Sequence, residues 1–201
     1  MIEIEVPFIP YDRIKVIIVE VLLKYHSSHE IPFPIEELIE FDFNFEIRGI
    51  FGLLRETGSP GMLSLDQSII FVDESVLSSK SNYYYRFTLA HELGHKLLHS
   101  RMYSSMNLTN MSEMKRFYLE LSEDQRKSME TQANNFAGLL LVPTGPLKKA
   151  FREAENMIPE ELRGGHSDDT VLGYLRDFIS KRFQVSSEVI RIRLEKEGLT
   201  L

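Results

Sequence analysis

The sequence predicts an α+β domain. A small antiparallel sheet of about three strands packs on one long helix, and a helical C-terminal part follows. Three observations predict this. A His-Glu-x-x-His pentad, His91 to His95, sits inside a run with helical spacing of apolar residues. The patterns read as strands lie between residues 41 and 72. From Ser122 onward, helix caps and apolar spacings alternate with proline and glycine stops.

The totals set the bounds. A chain of 201 residues makes one domain, or one with a small appendage, and can bury a substantial core. Its 43% hydrophobic and 26% charged content is that of a soluble globule. No apolar run approaches 20 residues, so no transmembrane helix and no membrane partner are expected. The acidic, alternating start Met1-Ile2-Glu3-Ile4-Glu5 is unlike a secretory signal. With no cysteine there are no disulfides and no thiolate ligands, so any metal must use His, Asp or Glu. These features fit a cytoplasmic protein. A net charge of −7 argues against general nucleic-acid binding.

In chain order, an extended arm ends at Pro7 and Pro10. From Tyr11 to about His26 the apolar set Ile14, Ile17, Ile18, Val21, Leu22 and Tyr25 has helical spacing. The β-branched run Val16 to Val19 offers a strand as the alternative, but length and stripe favour helix. His26 and His29 lie in a polar turn without an element to fix them as ligands. Ile31-Pro32-Phe33-Pro34 is extended, and Pro34 opens a short helix to about Glu40. Phe41, Phe43, Phe45 and Ile47 alternate with polar residues, the period of a half-buried strand. Thr57 to Gly61 reads as a loop, and Met62–Leu65 with Ile69–Val72 reads as a hairpin.

The motif helix comes next, with Ser81 and Asn82 as offered N-caps. Positions i and i+4 share a helix face, so His91 and His95 can hold one metal ion between them. Glu92 stands at the edge of that face, where a general base for water is needed. Gly94 costs roughly 1 kcal/mol against alanine in a helix interior. A glycine between two histidine turns therefore suggests a second backbone close by. His99, one turn beyond His95, reads as core support or a helix cap. The following segment to Leu121 is rich in methionine, at 102, 106, 111 and 114, which reads as core packing.

Ser122-Glu123-Asp124-Gln125 forms a capping box for a helix that Pro143 stops. Glu130 opens a stripe with Ala133, Asn134, Ala137 and Leu141. Small residues on that face allow close approach to the motif helix, which makes Glu130 the candidate third ligand. Two imidazoles and a carboxylate that leave a fourth position open form the donor set of catalytic zinc. Asn134 can hydrogen-bond a ligating histidine and fix its tautomer. Glu120, Glu123 and Asp124 are the fallback ligands.

Leu147 to Asn156 reads as a helix, His166 lies in a loop, and a helix starting near Ser167 runs to about Phe183. Ser186 caps a last helix that ends before Gly198. Arg182, Arg191, Arg193 and Lys196 make this end locally basic, diluted by Glu188, Glu195 and Glu197. The pair is read as packing on the core or on a partner, not as a DNA-reading element.

Two blocks, Arg86-Phe87-Thr88-Leu89-Ala90-His91-Glu92-Leu93-Gly94-His95 with Leu97-Leu98-His99, and Glu130-x-Gln-Ala-Asn-x-Phe-Ala-Gly-Leu-Leu-Leu-Val-Pro143, together resemble the ImmA/IrrE family of zinc metallopeptidases. The resemblance runs from about residue 11 to 197. It departs at Gln132, where an acidic residue is common, and at Gly138, where alanine is common. It implies a zincin-like fold, zinc held by His91, His95 and Glu130, and Glu92 as catalytic base. It implies a protein substrate, a helix-turn-helix repressor of the Xre type or an antitoxin, in stress-response or mobile-element regulation. On this reading residues 1–143 form the catalytic domain and 144–201 a C-terminal helical extension. The alternative is a non-proteolytic regulator that binds a repressor or antitoxin partner and keeps a structural metal.

Overall fold

The computed structural model describes residues 6–26, 28, 30–79, 83–105, 113, 117, 120–157 and 168–200. Ser81, Asn82, His29, Met106, Met111, Met114, His166 and Ser167, all considered above, lie outside them.

The chain opens with α1, Tyr11–Tyr25. Its buried face is Ile14, Ile18, Val21 and Leu22, the spacing that favoured a helix. A single turn α2, Ile35–Glu37, passes directly into a wider π turn, Leu38–Asp42. The strand expected from Phe41 is corrected here. Helical turns persist to Asp42, Phe41 is left exposed, and Asn44 adopts φ +55°. Asparagine tolerates that left-handed backbone, which interrupts any extended run. Strand β1 is therefore Glu46–Ile50, and Phe45 enters the core from the turn before it.

β1 leads to α3, Leu53–Thr57, a short helix the sequence reading missed. It is framed by Gly52 and Gly58, at φ +75° and +77°, a backbone region open to glycine at little cost. Strands β2, Gly61–Leu63, and β3, Ile69–Asp73, form the expected hairpin. The strand order is β1-β3-β2, with β2 antiparallel and β1 parallel to β3. The sheet is thus mixed, not wholly antiparallel. The crossover through α3 reverses the chain before β2, so β1 and β3 run the same way.

Asp73 caps α4, Glu74–Leu77, by accepting the Ser75 amide at 2.9 Å. The motif helix α5 is Tyr83–Ser105. Helix α6, Glu123–Leu141, starts at the predicted capping box, in which Ser122 accepts the Gln125 amide and Gln125 accepts the Ser122 amide. Three helices follow: α7, Thr144–Asn156; α8, Asp168–Phe183; and α9, Ser187–Glu197, capped by Ser186.

The sheet packs on α5, α5 on α6, and α6 on α1. Helix α6 thus lies between two helices, and its residues from Phe136 to Leu141 are all buried. Leu89 and Leu93 of α5 and Phe136 and Leu140 of α6 are fully buried in the common core, each worth about 2 kcal/mol of transfer free energy. One buried cluster extends from Ile14 to Leu194 and draws on residues either side of Pro143. A smaller one gathers Met102, Tyr103, Phe117, Leu121 and Met129, which bears out the core reading for Met102.

Arg193 ties the end of the chain to this core. It is buried and donates to the Val142 carbonyl at 3.1 Å, to Thr144 Oγ1 at 3.1 Å, to Glu197 at 2.9 Å and to the Tyr11 hydroxyl. The Val142 carbonyl follows the last turn of α6, where backbone acceptors lack helical partners. Arg191 is held by Glu188 and Glu195. Arg182 is paired with Glu153, so three of the four cations that made this end look basic are neutralised within the fold.

Candidate metal centre

Helices α5 and α6 meet at Gly94. A Cβ placed there would lie 3.3 Å from Ala133 Cα and 3.1 Å from the Phe136 ring, which leaves no slack for a larger residue. Ala133 and Ala137 are fully buried on the opposing face. The close backbone approach expected from the sequence is present, and it sets the histidine row of α5 against Glu130 of α6.

His91 Nε2 lies 3.0 Å from His95 Nε2. Glu130 places one carboxylate oxygen 3.2 Å from His91 Nε2 and the other 3.5 Å from His95 Nε2. Ligand atoms of the three residues all fall within 4.8 Å of one another. Donors bound tetrahedrally at zinc distances are separated by about 3.3 Å, so the spacing suits one ion. Of the acidic residues weighed as third ligand, only Glu130 joins this group among the described residues. Its side chain is half exposed, so the centre opens to solvent.

The hydrogen bonds assign the tautomers. The Pro7 carbonyl can only accept, so the Gln132 amide nitrogen faces it at 3.1 Å; that nitrogen also donates to Ser128 Oγ at 2.9 Å. Gln132 Oε1 must then accept from His99 Nε2, 3.3 Å away. Burial foremost, with His95 beside it, pushes the His99 pKa down to about 4, so the ring is neutral and its Nδ1 is an acceptor. His95 Nδ1 donates to it at 3.1 Å, which leaves the His95 Nε2 lone pair free. His91 Nδ1 meets Asn134 Oδ1 at 2.9 Å, which frees its Nε2 in the same way.

Two nitrogen lone pairs and a carboxylate thus face a common point, an arrangement suited to a cation between them. Partial burial works against the Glu130 carboxylate, but its bonds to His91 and His95 outweigh this and hold it well below the ordinary carboxylate range. Burial also opposes charge on His91, yet Glu130, Glu92 and Asn134 together raise its pKa. The donor set fits a divalent metal.

Glu92 is buried beside the histidines. Burial raises its pKa above the usual value, against the pull of His95, His91 and a hydrogen bond from the Leu63 amide. Strand β2 supplies that amide and passes close over Glu92. A Cβ at Gly61 would lie 2.6 Å from Thr88 Cγ2 and 3.1 Å from Glu92 Oε1, so only glycine fits. The sequence reading missed the parts played by Gly61, Leu63 and Gln132. Gly61 looked like one more loop glycine, and Gln132 appeared only as a departure from the family pattern. His26 stands apart from the centre, bonded to the Glu30 carbonyl at 2.9 Å.

The sequence model of the M78 peptidases, described as the IrrE N-terminal-like domain, matches residues 63–195. The chain belongs to this family. The match spans α5 and α6, and so takes in all four of His91, Glu92, His95 and Glu130. Among solved structures, a Mycobacterium tuberculosis transcriptional regulator resembles this IrrE-like chain with a TM-score of 0.52 at 20% identity. The likeness covers 92% of the IrrE-like chain and 48% of the regulator, so the chain spans about half the regulator's length. At that identity the likeness concerns the fold. No curated protein matches the chain. Among the described residues of this IrrE-like chain, no helix is long and apolar enough to cross a membrane.

Proposed function

We propose that the chain is a zinc-dependent endopeptidase whose substrate is a helix-turn-helix repressor of the Xre type or an antitoxin. The observation that carries this reading is the meeting of two Nε2 lone pairs and the Glu130 carboxylate beside the buried Glu92. His91, His95 and Glu130 would hold the zinc. Bound there, zinc would supply Lewis-acid polarisation of the scissile carbonyl and lower the pKa of a water toward ~7.

The remaining work falls to the protein's own groups. Glu92, buried beside the histidines, takes a proton from the attacking water at its carboxylate and returns it to the leaving amine. Asn134 and His99 orient the His91 and His95 rings. The substrate class comes from the family resemblance, and it accords with a structural relative that is a transcriptional regulator. We assign the catalytic machinery to residues 1–143 and read 144–201 as an extension that braces it through Arg193.

Glu92→Gln tests the reading. It should keep its zinc and lose about 10²-fold or more of the cleavage of a helix-turn-helix repressor. Cleavage at the wild-type rate would exclude the general-base role.

A further inference from the structure

The helix seam that forms the metal centre continues beyond it. On α5, Phe87 lies one turn before His91 on the same face, with Tyr84 a further turn back. On α6, Asn134 and Gly138 extend the row begun by Glu130. Between these rows and α9 runs a groove of about 590 Å³. Tyr84 and Phe87 form one wall and Ile192 the other; Tyr84 and Ile192 are exposed to solvent, 44% and 39%. Gly138 and the stem of Arg193 make the floor, where a Cβ on the glycine would meet Arg193 Cδ at 3.4 Å. Asn134 lines this groove and also holds His91, so groove and centre share a residue.

Two polar groups of the groove have unmet capacity. The half-buried Asn135 amide has no hydrogen-bond partner among the described residues. Lys196 stands 5.1 Å from the centre of the Tyr11 ring and has no ion pair among the described residues. The arginines and glutamates of α9 are paired, and Asp12 has no ion pair among the described residues. Arg193 and Lys15 share Glu197, at 2.9 and 3.0 Å, Glu188 is bound by Arg191, and Asp12 lies beside Tyr11 and Lys15 on α1. In a chain of net charge −7, the groove thus ends on an unneutralised cation.

We propose that this groove is the substrate-docking subsite of the centre. It takes an extended polypeptide segment that presents a large apolar side chain between Tyr84 and Ile192, with an acidic residue at Lys196. Asn135 bonds the backbone of that segment. The proposal deepens the peptidase reading and rests on it for the identity of the occupant.

The test uses the full zinc-loaded chain and fluorescent dodecapeptides. One set carries a central Phe with Glu at each of the five following positions in turn. Control sets replace Glu by Lys, or Phe by Ser. Binding by fluorescence polarisation and hydrolysis by mass spectrometry are read in parallel. At least one Phe–Glu spacing should bind about tenfold more tightly than both controls, a single charge-assisted contact being worth roughly 1.4 kcal/mol. Ile192→Ser should abolish the Phe preference, and Lys196→Glu should shift the preference from the Glu to the Lys peptides. Both residues are exposed, so the variants should fold. Equal binding of all sets, or an unchanged preference in Lys196→Glu, would overturn the proposal. So would a concentration-dependent dimer broken by Ile192→Ser, since a second copy would then fill the groove. Charge-switched binding without hydrolysis would keep the subsite and remove the peptidase reading. Hydrolysis without preference would do the reverse.

Discussion

Gly94 of α5 faces Ala133 of α6 so closely that a methyl group on the glycine would sit 3.3 Å from the alanine Cα. That contact lies one residue from His95 and three from Glu130 along their chains. It therefore sets the distance across which the candidate ligands meet. A glycine in a helix interior costs roughly 1 kcal/mol, which burial along the seam offsets.

Gly94→Val should push the two helices apart. Overpacking of this kind destabilises by about 1–3 kcal/mol, and the same displacement should weaken metal binding. Thermal denaturation with metal titration checks both. A variant that melts and binds like the wild type would remove the seam from the account.

Gln132→Leu removes the acceptor that fixes His99. A buried imidazole N–H left unpaired costs about 1–3 kcal/mol, and the direction of the His95–His99 bond is no longer enforced. Metal affinity should fall by roughly 10- to 100-fold, as for other partners that orient ligating histidines. Asn134→Ala should act similarly through His91. Chelator competition reads the affinities. In the wild-type apo protein, ¹⁵N spectra should report His99 protonated at Nε2, and protonation at Nδ1 instead would break the chain of assignments.

Arg193→Ala leaves Glu197 largely buried with Lys15 as its one remaining ion-pair partner beside the Thr144 hydroxyl, and should cost about 3 kcal/mol. Burial raises the Glu197 pKa, but Lys15 and Arg193 together bring it below its ordinary 4.5. A depressed carboxyl contributes its stability in full above the unfolded-state value and loses it as pH falls through the folded one. Wild-type stability should therefore decline below pH 4.5, and less steeply in Glu197→Gln. Urea midpoints across that range give the comparison. Identical slopes would mean that the pair contributes nothing.

Much of this was legible in the sequence, for identifiable reasons. Ser122 and Gln125 sit at the spacing a capping box demands, and that short-range geometry survived folding intact. His91, His95 and the small-residue stripe after Glu130 carried enough periodicity to place two helices face to face. The aromatic alternation at Phe41–Phe45 misled because periodicity is blind to backbone sign, and Asn44 turns left-handed within it. The parallel pairing of β1 with β3 depends on the α3 crossover, which no local pattern encodes. Arg193 looked like one cation among several, and only the meeting of α1, α6, α7 and α9 reveals it as a buried hub.

The central claim is that His91, His95 and Glu130 hold one catalytic metal ion. Zinc content of the purified protein beside Glu130→Ala, by elemental analysis after incubation with the ion and desalting, tests it most directly. About one zinc per chain is expected in the wild type, the stoichiometry of a three-residue site, and its loss in Glu130→Ala. A wild type that holds no zinc, or a Glu130→Ala chain that keeps its full complement, would contradict it.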